Sequence, residues 1–113
     1  MTAAAVNGEG LFNNLGCADC HVEPRFTDST RGAATLHDVG TLRTTSGQRL
    51  GGPLTGIDTP TLLGVWDTAP YEGVYRWPET FADVLADFKD PARPAPHGAV
   101  SGLSGRQIRD LAE

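Results

Sequence analysis

Apolar residues along this chain fall into three stretches with helical spacing, separated by one long aperiodic segment. From Ala4 to Leu15, Gly8 and Phe12 stand four apart, and so do Leu11 and Leu15, which places each pair on one helical face. A glycine followed one turn later by an aromatic suits a close crossing with another helix, because glycine lets two backbones approach. An ordinary amphipathic helix would show the same pattern. Gly16 then reads as the residue that ends this helix. The second stretch runs from Trp77 to Phe88, with Pro78 in its first turn and Phe81, Val84, Leu85 and Phe88 forming one apolar face. The third opens at Ser104-Gly105-Arg106-Gln107, a capping box, and turns Ile108 and Leu111 inward. It stops at Glu113 after only about two to three turns, so further residues are expected to follow in the parent protein.

Between Val22 and Pro60 the periodicity disappears, and Pro24, Gly32, Gly40, Gly47, Gly51-Gly52-Pro53 and Gly56 punctuate the segment. An irregular stretch of this length inside a small domain is usually functional or wrapped around a cofactor. Short strands are expected near Gly40–Arg43 and Gln48–Leu50, paired as a small hairpin. Thr59-Pro60-Thr61-Leu62-Leu63-Gly64-Val65-Trp66 reads as the start of a short helix with proline just inside. Pro91, Pro94 and Pro96 impose an extended loop before the last helix. No repeat and no linker divides the chain, so the expectation is one domain over residues 1–113, mostly α, with long Gly/Pro-rich loops.

One motif turns this outline toward a cofactor. Cys17-Ala18-Asp19-Cys20-His21 has the spacing of a c-type haem attachment site. Two thiols add across the two vinyl groups of a single haem, and the imidazole after the second Cys binds the iron. Competing readings fit less well. A thioredoxin-like pair needs a strand before the motif, and no strand-rich run precedes Cys17. A structural zinc site needs four ligands, usually as two spaced pairs; with 2 Cys in the chain, His21, His37 and His97 would have to supply the rest. The motif therefore predicts a cytochrome c-like helical domain wrapped around one covalent haem c and its iron.

Composition agrees with that expectation. Only 39% of residues are hydrophobic, with 14 Gly and 8 Pro, so the chain's own side chains make a small core that a haem would enlarge. The net charge of −5 and the pI near 5.0 argue against a nucleic-acid partner and suit a positively charged redox partner protein. No run approaches the roughly 20 apolar residues of a membrane span. Met1 to Val6 lacks the basic start and apolar core of a signal peptide. Haem c is attached outside the cytoplasm, so the expected location is periplasmic or otherwise extracytoplasmic, for a mature product or a fragment.

The iron has two axial positions, and His21 is the candidate for one. The only methionine is Met1, which leaves His97, His37, Tyr71, Tyr75 or an open site for the other. Position favours His97, seven residues ahead of Ser104 in a Pro- and Gly-marked loop. An exposed loop histidine is the bland alternative. His37, in Leu36-His37-Asp38-Val39-Gly40-Thr41, could instead bond Asp38, a backbone carbonyl or a propionate. Arg25, Arg43, Arg49 and Arg76 are candidates for propionate contacts, because a guanidinium fork matches a carboxylate. Trp66, Trp77, Tyr71 and Tyr75 could line the haem, although aromatics more often fill a core.

From Cys17 to Glu113 the chain resembles the C-terminal haem domain of the bacterial di-haem cytochrome c peroxidase and MauG family. The residues that carry the resemblance are Cys17–His21, His37-Asp38-Val39-Gly40-Thr41, the run from Asp58 to Tyr71, and Thr80-Phe81-Ala82-Asp83-Val84-Leu85. It implies a periplasmic, largely helical cytochrome fold engaged in redox work. The chain departs from that pattern in three places. It has one CxxCH rather than two, Glu72-Gly73-Val74-Tyr75 stands where the family shows His-Asp-Gly, and Phe88 stands where the family's methionine ligand falls. The expected function is thus a monohaem c-type cytochrome passing single electrons, alone or docked in a larger electron-transfer complex. The alternative is a peroxidase- or MauG-like enzyme domain with an open distal site.

Overall fold

The chain's structure is a computed structural model that describes residues 1–29, 36–40, 42, 48–49, 51–65, 80–92 and 96–113, with the backbone alone at 48–49. Its elements, in chain order, are α1 (Ala3–Asn14), α2 (Cys17–Cys20), β1 (Leu36–His37), β2 (Gln48–Arg49), β3 (Gly52–Pro53), β4 (Ile57–Asp58), α3 (Phe81–Asp87) and α4 (Gly105–Ala112). The strands form two separate antiparallel ladders, β1 with β4 and β2 with β3.

Helix α1 starts where Thr2 accepts a hydrogen bond from the Ala5 amide at 3.0 Å. It ends at Leu15, and Gly16 then takes the left-handed conformation, φ +80°, that glycine adopts without steric cost. Gly8 is buried where α1 crosses α4, and a Cβ there would overlap the Asp110 carbonyl oxygen and lie 2.8 Å from its carbon. The two backbones touch at this crossing because Gly8 has no side chain.

Helix α4 opens with the capping box read from the sequence. Ser104 Oγ accepts from the Gln107 amide at 3.3 Å, and Gln107 Oε1 accepts from the Ser104 amide at 2.9 Å. Replacing Ser104 with Ala is expected to cost about 1 kcal/mol, read as a lowered urea midpoint at unchanged slope. Helix α3 begins later than the apolar pattern predicts. Thr80 is its N-cap, and Thr80 and Asp83 form a second capping box, so Phe81 is the first helical residue. Pro78 therefore lies ahead of the helix, and positions 66–79 fall outside the described residues.

The core joins these three helices. Leu85, Val100, Leu103 and Ile108 are buried together, and Leu11, Leu15, Phe81, Ala82, Phe88 and Leu111 pack around them. Lys89 reaches across from the end of α3 and donates to the Leu103 carbonyl. The predicted inward faces of α3 and α4 are the faces that meet.

Two local expectations are corrected. The strand at Gln48–Arg49 pairs with Gly52–Pro53 across a tight turn, not with Gly40–Arg43. Gly51 turns that chain with φ +80°; Gly40 and Leu42 lie outside strands, and Thr41 and Arg43 lie outside the described residues. The helix start expected at Thr59–Trp66 is not helical from Thr59 to Leu62. Its threonines are committed elsewhere: the Thr59 carbonyl accepts from the Thr27 hydroxyl, and the Thr61 hydroxyl donates to the Arg25 carbonyl. These side-chain bonds offer the backbone an extended alternative to a helix.

Candidate haem and metal-ligand site

The Cys17–Cys20 segment is a single helical turn entered through Gly16. Residues three apart on a helix lie on one face, so the two thiols project to the same side. Both cysteines are free and half-buried. Burial is the main force pushing each thiol's pKa up, aided at Cys17 by Asp19 and at Cys20 by Asp28 and Asp19. A redox-active CxxC pair depends on a lowered thiol pKa, and this environment works the other way.

His21 closes the turn, its amide donating to the Cys17 carbonyl at 2.9 Å. Its ring is oriented by a second bond, Nδ1–H donating to the Phe26 carbonyl at 3.1 Å. That tautomer leaves the Nε2 lone pair for a metal. Phe26 presents this carbonyl from a left-handed backbone, φ +50°. The conformation costs a bulky residue on the order of 1–3 kcal/mol. Phe12 packs against both partners, its centroid 6.1 Å from that of Phe26 and 6.4 Å from that of His21.

His97 is far from His21 in sequence, yet the fold brings the two histidines together. Their ring centroids are 6.5 Å apart and the planes differ by 11°. Phe88 at the end of α3 stacks on His97 with centroids 4.0 Å apart. The loop is held where it is by the Ala99 amide, which donates to the Leu15 carbonyl at 3.1 Å. Gly98, at φ +71°, makes the turn between them.

His37 stands apart from this pair. Sequence offered Asp38, a backbone carbonyl or a propionate as its partner, but Asp38 Oδ1 accepts from the Gly40 amide at 3.0 Å. His37 Nε2 instead meets Asp28 Oδ2 at 2.6 Å. Asp28 is only 4% exposed. It carried no signal in the sequence, because nothing local links it to a histidine nine residues on. Burial pushes the Asp28 carboxyl up, but the Thr59 side chain and the His37 imidazole together outweigh it and hold the group below its ordinary value.

That depression has a consequence for stability. The folded-state pKa is lower than the unfolded one, so ionised Asp28 adds stability that is complete above the ordinary carboxylate range. The contribution is lost as the pH falls below about 4 and through the depressed value. Urea midpoints measured from neutral pH into acid should fall more steeply for the native chain than for Asp28→Asn, with the two curves converging at the acid end.

Of the other site residues predicted from sequence, Arg43, Trp66 and Tyr71 lie outside the described residues, as do Arg76, Trp77 and Tyr75. Arg49 is placed in β2 by its backbone alone. Arg25 is exposed. Among the described residues, no helix is long and apolar enough to cross a membrane. No protein-family model, curated protein or solved structure matches the chain, and its reading rests on the residues themselves.

Proposed function

We propose that this chain is a monohaem c-type cytochrome domain that passes single electrons to or from a redox partner protein outside the cytoplasm. The observation that carries the reading is the His21–His97 pair, with parallel rings and centroids 6.5 Å apart. That spacing brings the imidazole of the CxxCH turn and the imidazole of the loop before α4 to one place, where both would be within reach of a single iron.

In this reading Cys17 and Cys20 hold the haem by thioether bonds, and His21 and His97 bind its iron. Bound haem supplies reversible one-electron exchange at the iron. The chain's residues do the rest. The Phe26 carbonyl fixes the His21 tautomer and the orientation of its ring. Phe88 fixes the plane of the His97 ring from the face it covers. Phe12 packs beside the His21 ring and against Phe26, placing aromatic surface next to that ligand. His21 and His97 would both be committed to holding the iron, so the reading favours electron transfer over peroxidase chemistry.

The test is the chain produced in a host that matures c-type cytochromes. Expected are haem that resists acid–acetone extraction, a low-spin ferric spectrum by electron paramagnetic resonance, and a ferrous form indifferent to carbon monoxide. A high-spin haem that binds carbon monoxide would move the domain to the peroxidase-like class. A chain that emerges without haem would overturn the reading.

A further inference from the structure

We propose that Cys20, Asp28 and His37 form a binding site for one divalent cation of the zinc class in the haem-free chain. One donor atom from each residue lies within 4.8 Å of the other two. A tetrahedral cation with bonds of about 2.0–2.3 Å keeps its donors roughly 3.3–3.8 Å apart, so side-chain shifts of about an ångström close the set.

The three donors come from separate pieces of chain that the fold holds in place. Cys20 ends α2, His37 lies in β1 and is paired across the ladder with Ile57, and the loop carrying Asp28 is tied to Thr59 through the Thr27 hydroxyl. Asp28 points to a ligand on its own account. It is 4% exposed, and its Oδ1 has no hydrogen-bond partner among the described residues. A buried carboxylate oxygen left in this state is costly, and a cation would satisfy it.

The donor set selects the cation. One thiolate, one imidazole and one carboxylate suit Zn²⁺ and its neighbours, whereas Ca²⁺ and Mg²⁺ take oxygen donors. Three protein donors leave a fourth position for water. This inference does not rest on the haem reading, but the two compete for one atom. A Cys20 sulfur already in a thioether bond cannot become a thiolate, so covalent haem and the cation exclude each other there.

The test is a titration of Co²⁺ into the reduced, chelator-treated, haem-free 113-residue chain. One equivalent should bind and give a thiolate-to-cobalt charge-transfer absorption with tetrahedral visible bands, both removed by Zn²⁺. Cys20→Ser, His37→Ala and Asp28→Asn should each weaken binding at least about tenfold, the scale at which even outer-shell changes are felt. Asp28→Asn serves as the variant that keeps the shape of the pocket, and circular dichroism checks the fold of all three. Cys17→Ser and His21→Ala should leave affinity within about threefold, because neither residue belongs to the set. Absence of the charge-transfer band overturns the proposal. So does equal weakening by Cys17→Ser and His21→Ala, which would assign the ion to the CxxCH turn. The haem-loaded chain should take up no Co²⁺ with a thiolate signature, and uptake there would overturn the exclusion. Failure of haem to attach in a maturing host leaves every outcome on the haem-free chain readable.

Discussion

Gly8→Ala is expected to be the most damaging single-methyl change in the chain, costing about 2–3 kcal/mol or more. The added Cβ would overlap a backbone oxygen of α4, with the Leu111 Cα a further 3.3 Å away. Overpacking of 1–3 kcal/mol is typical where side chains can rearrange; here the obstacle is main chain, so the helices themselves must move apart. Against a total stability of about 5–15 kcal/mol for a domain this size, that loss is a large share. Gly10→Ala is the matched control. It lies in the same helix with nothing within 4 Å of its Cβ position. Alanine there should stabilise by roughly 0.5–1 kcal/mol through helix propensity. Urea unfolding of the two variants should shift in opposite directions, and equal shifts would show that α1 and α4 do not cross at Gly8.

His97→Ala carries the largest functional effect that follows from the proposed haem reading. The low-spin ferric spectrum should convert to high-spin, and the ferrous form should pass from refusing carbon monoxide to binding it stoichiometrically. Imidazole added to the buffer should restore the low-spin state, which separates loss of a ligand from loss of the fold. His37→Ala should leave the spectrum low-spin, since His37 is engaged with Asp28 and not with His21. A spectrum that changes with His37 and not with His97 would reverse the assignment of the second ligand.

What could be read from the chain in advance was local. The Ser104 box was legible because both of its partners lie within four residues, and Gly16 because a left-handed cap requires glycine. The Thr80–Asp83 box is equally local. It was hidden by Pro78, whose preference for a first helical turn placed the helix start too early. Gly8 was legible as a crossing point, although its partner Asp110 was not. One ladder joins residues far apart, Leu36 with Asp58, and in both ladders alternation over two residues is too short to register. The candidate site divides in the same way. Cys17, Cys20 and His21 are a contiguous motif, and His97 followed from its place ahead of the last helix. Asp28 and the Phe26 carbonyl were missed because one is an ordinary acid in a polar stretch and the other is backbone.

The crossing of α1 with α4 joins the first and last helices of this sequence. Each of these helices is the other's main support. Amide hydrogens in α1 and α4 should therefore exchange with solvent more slowly than those of the two short ladders. Forming that contact also means closing a loop of about 100 residues, at roughly 4 kcal/mol of chain entropy. The buried cluster of Leu85, Val100, Leu103 and Ile108 is local in sequence, so the docking of α1 onto it is expected to be the slow step. Whatever anchors the middle early, a bound cation or a covalent cofactor, would shorten that search.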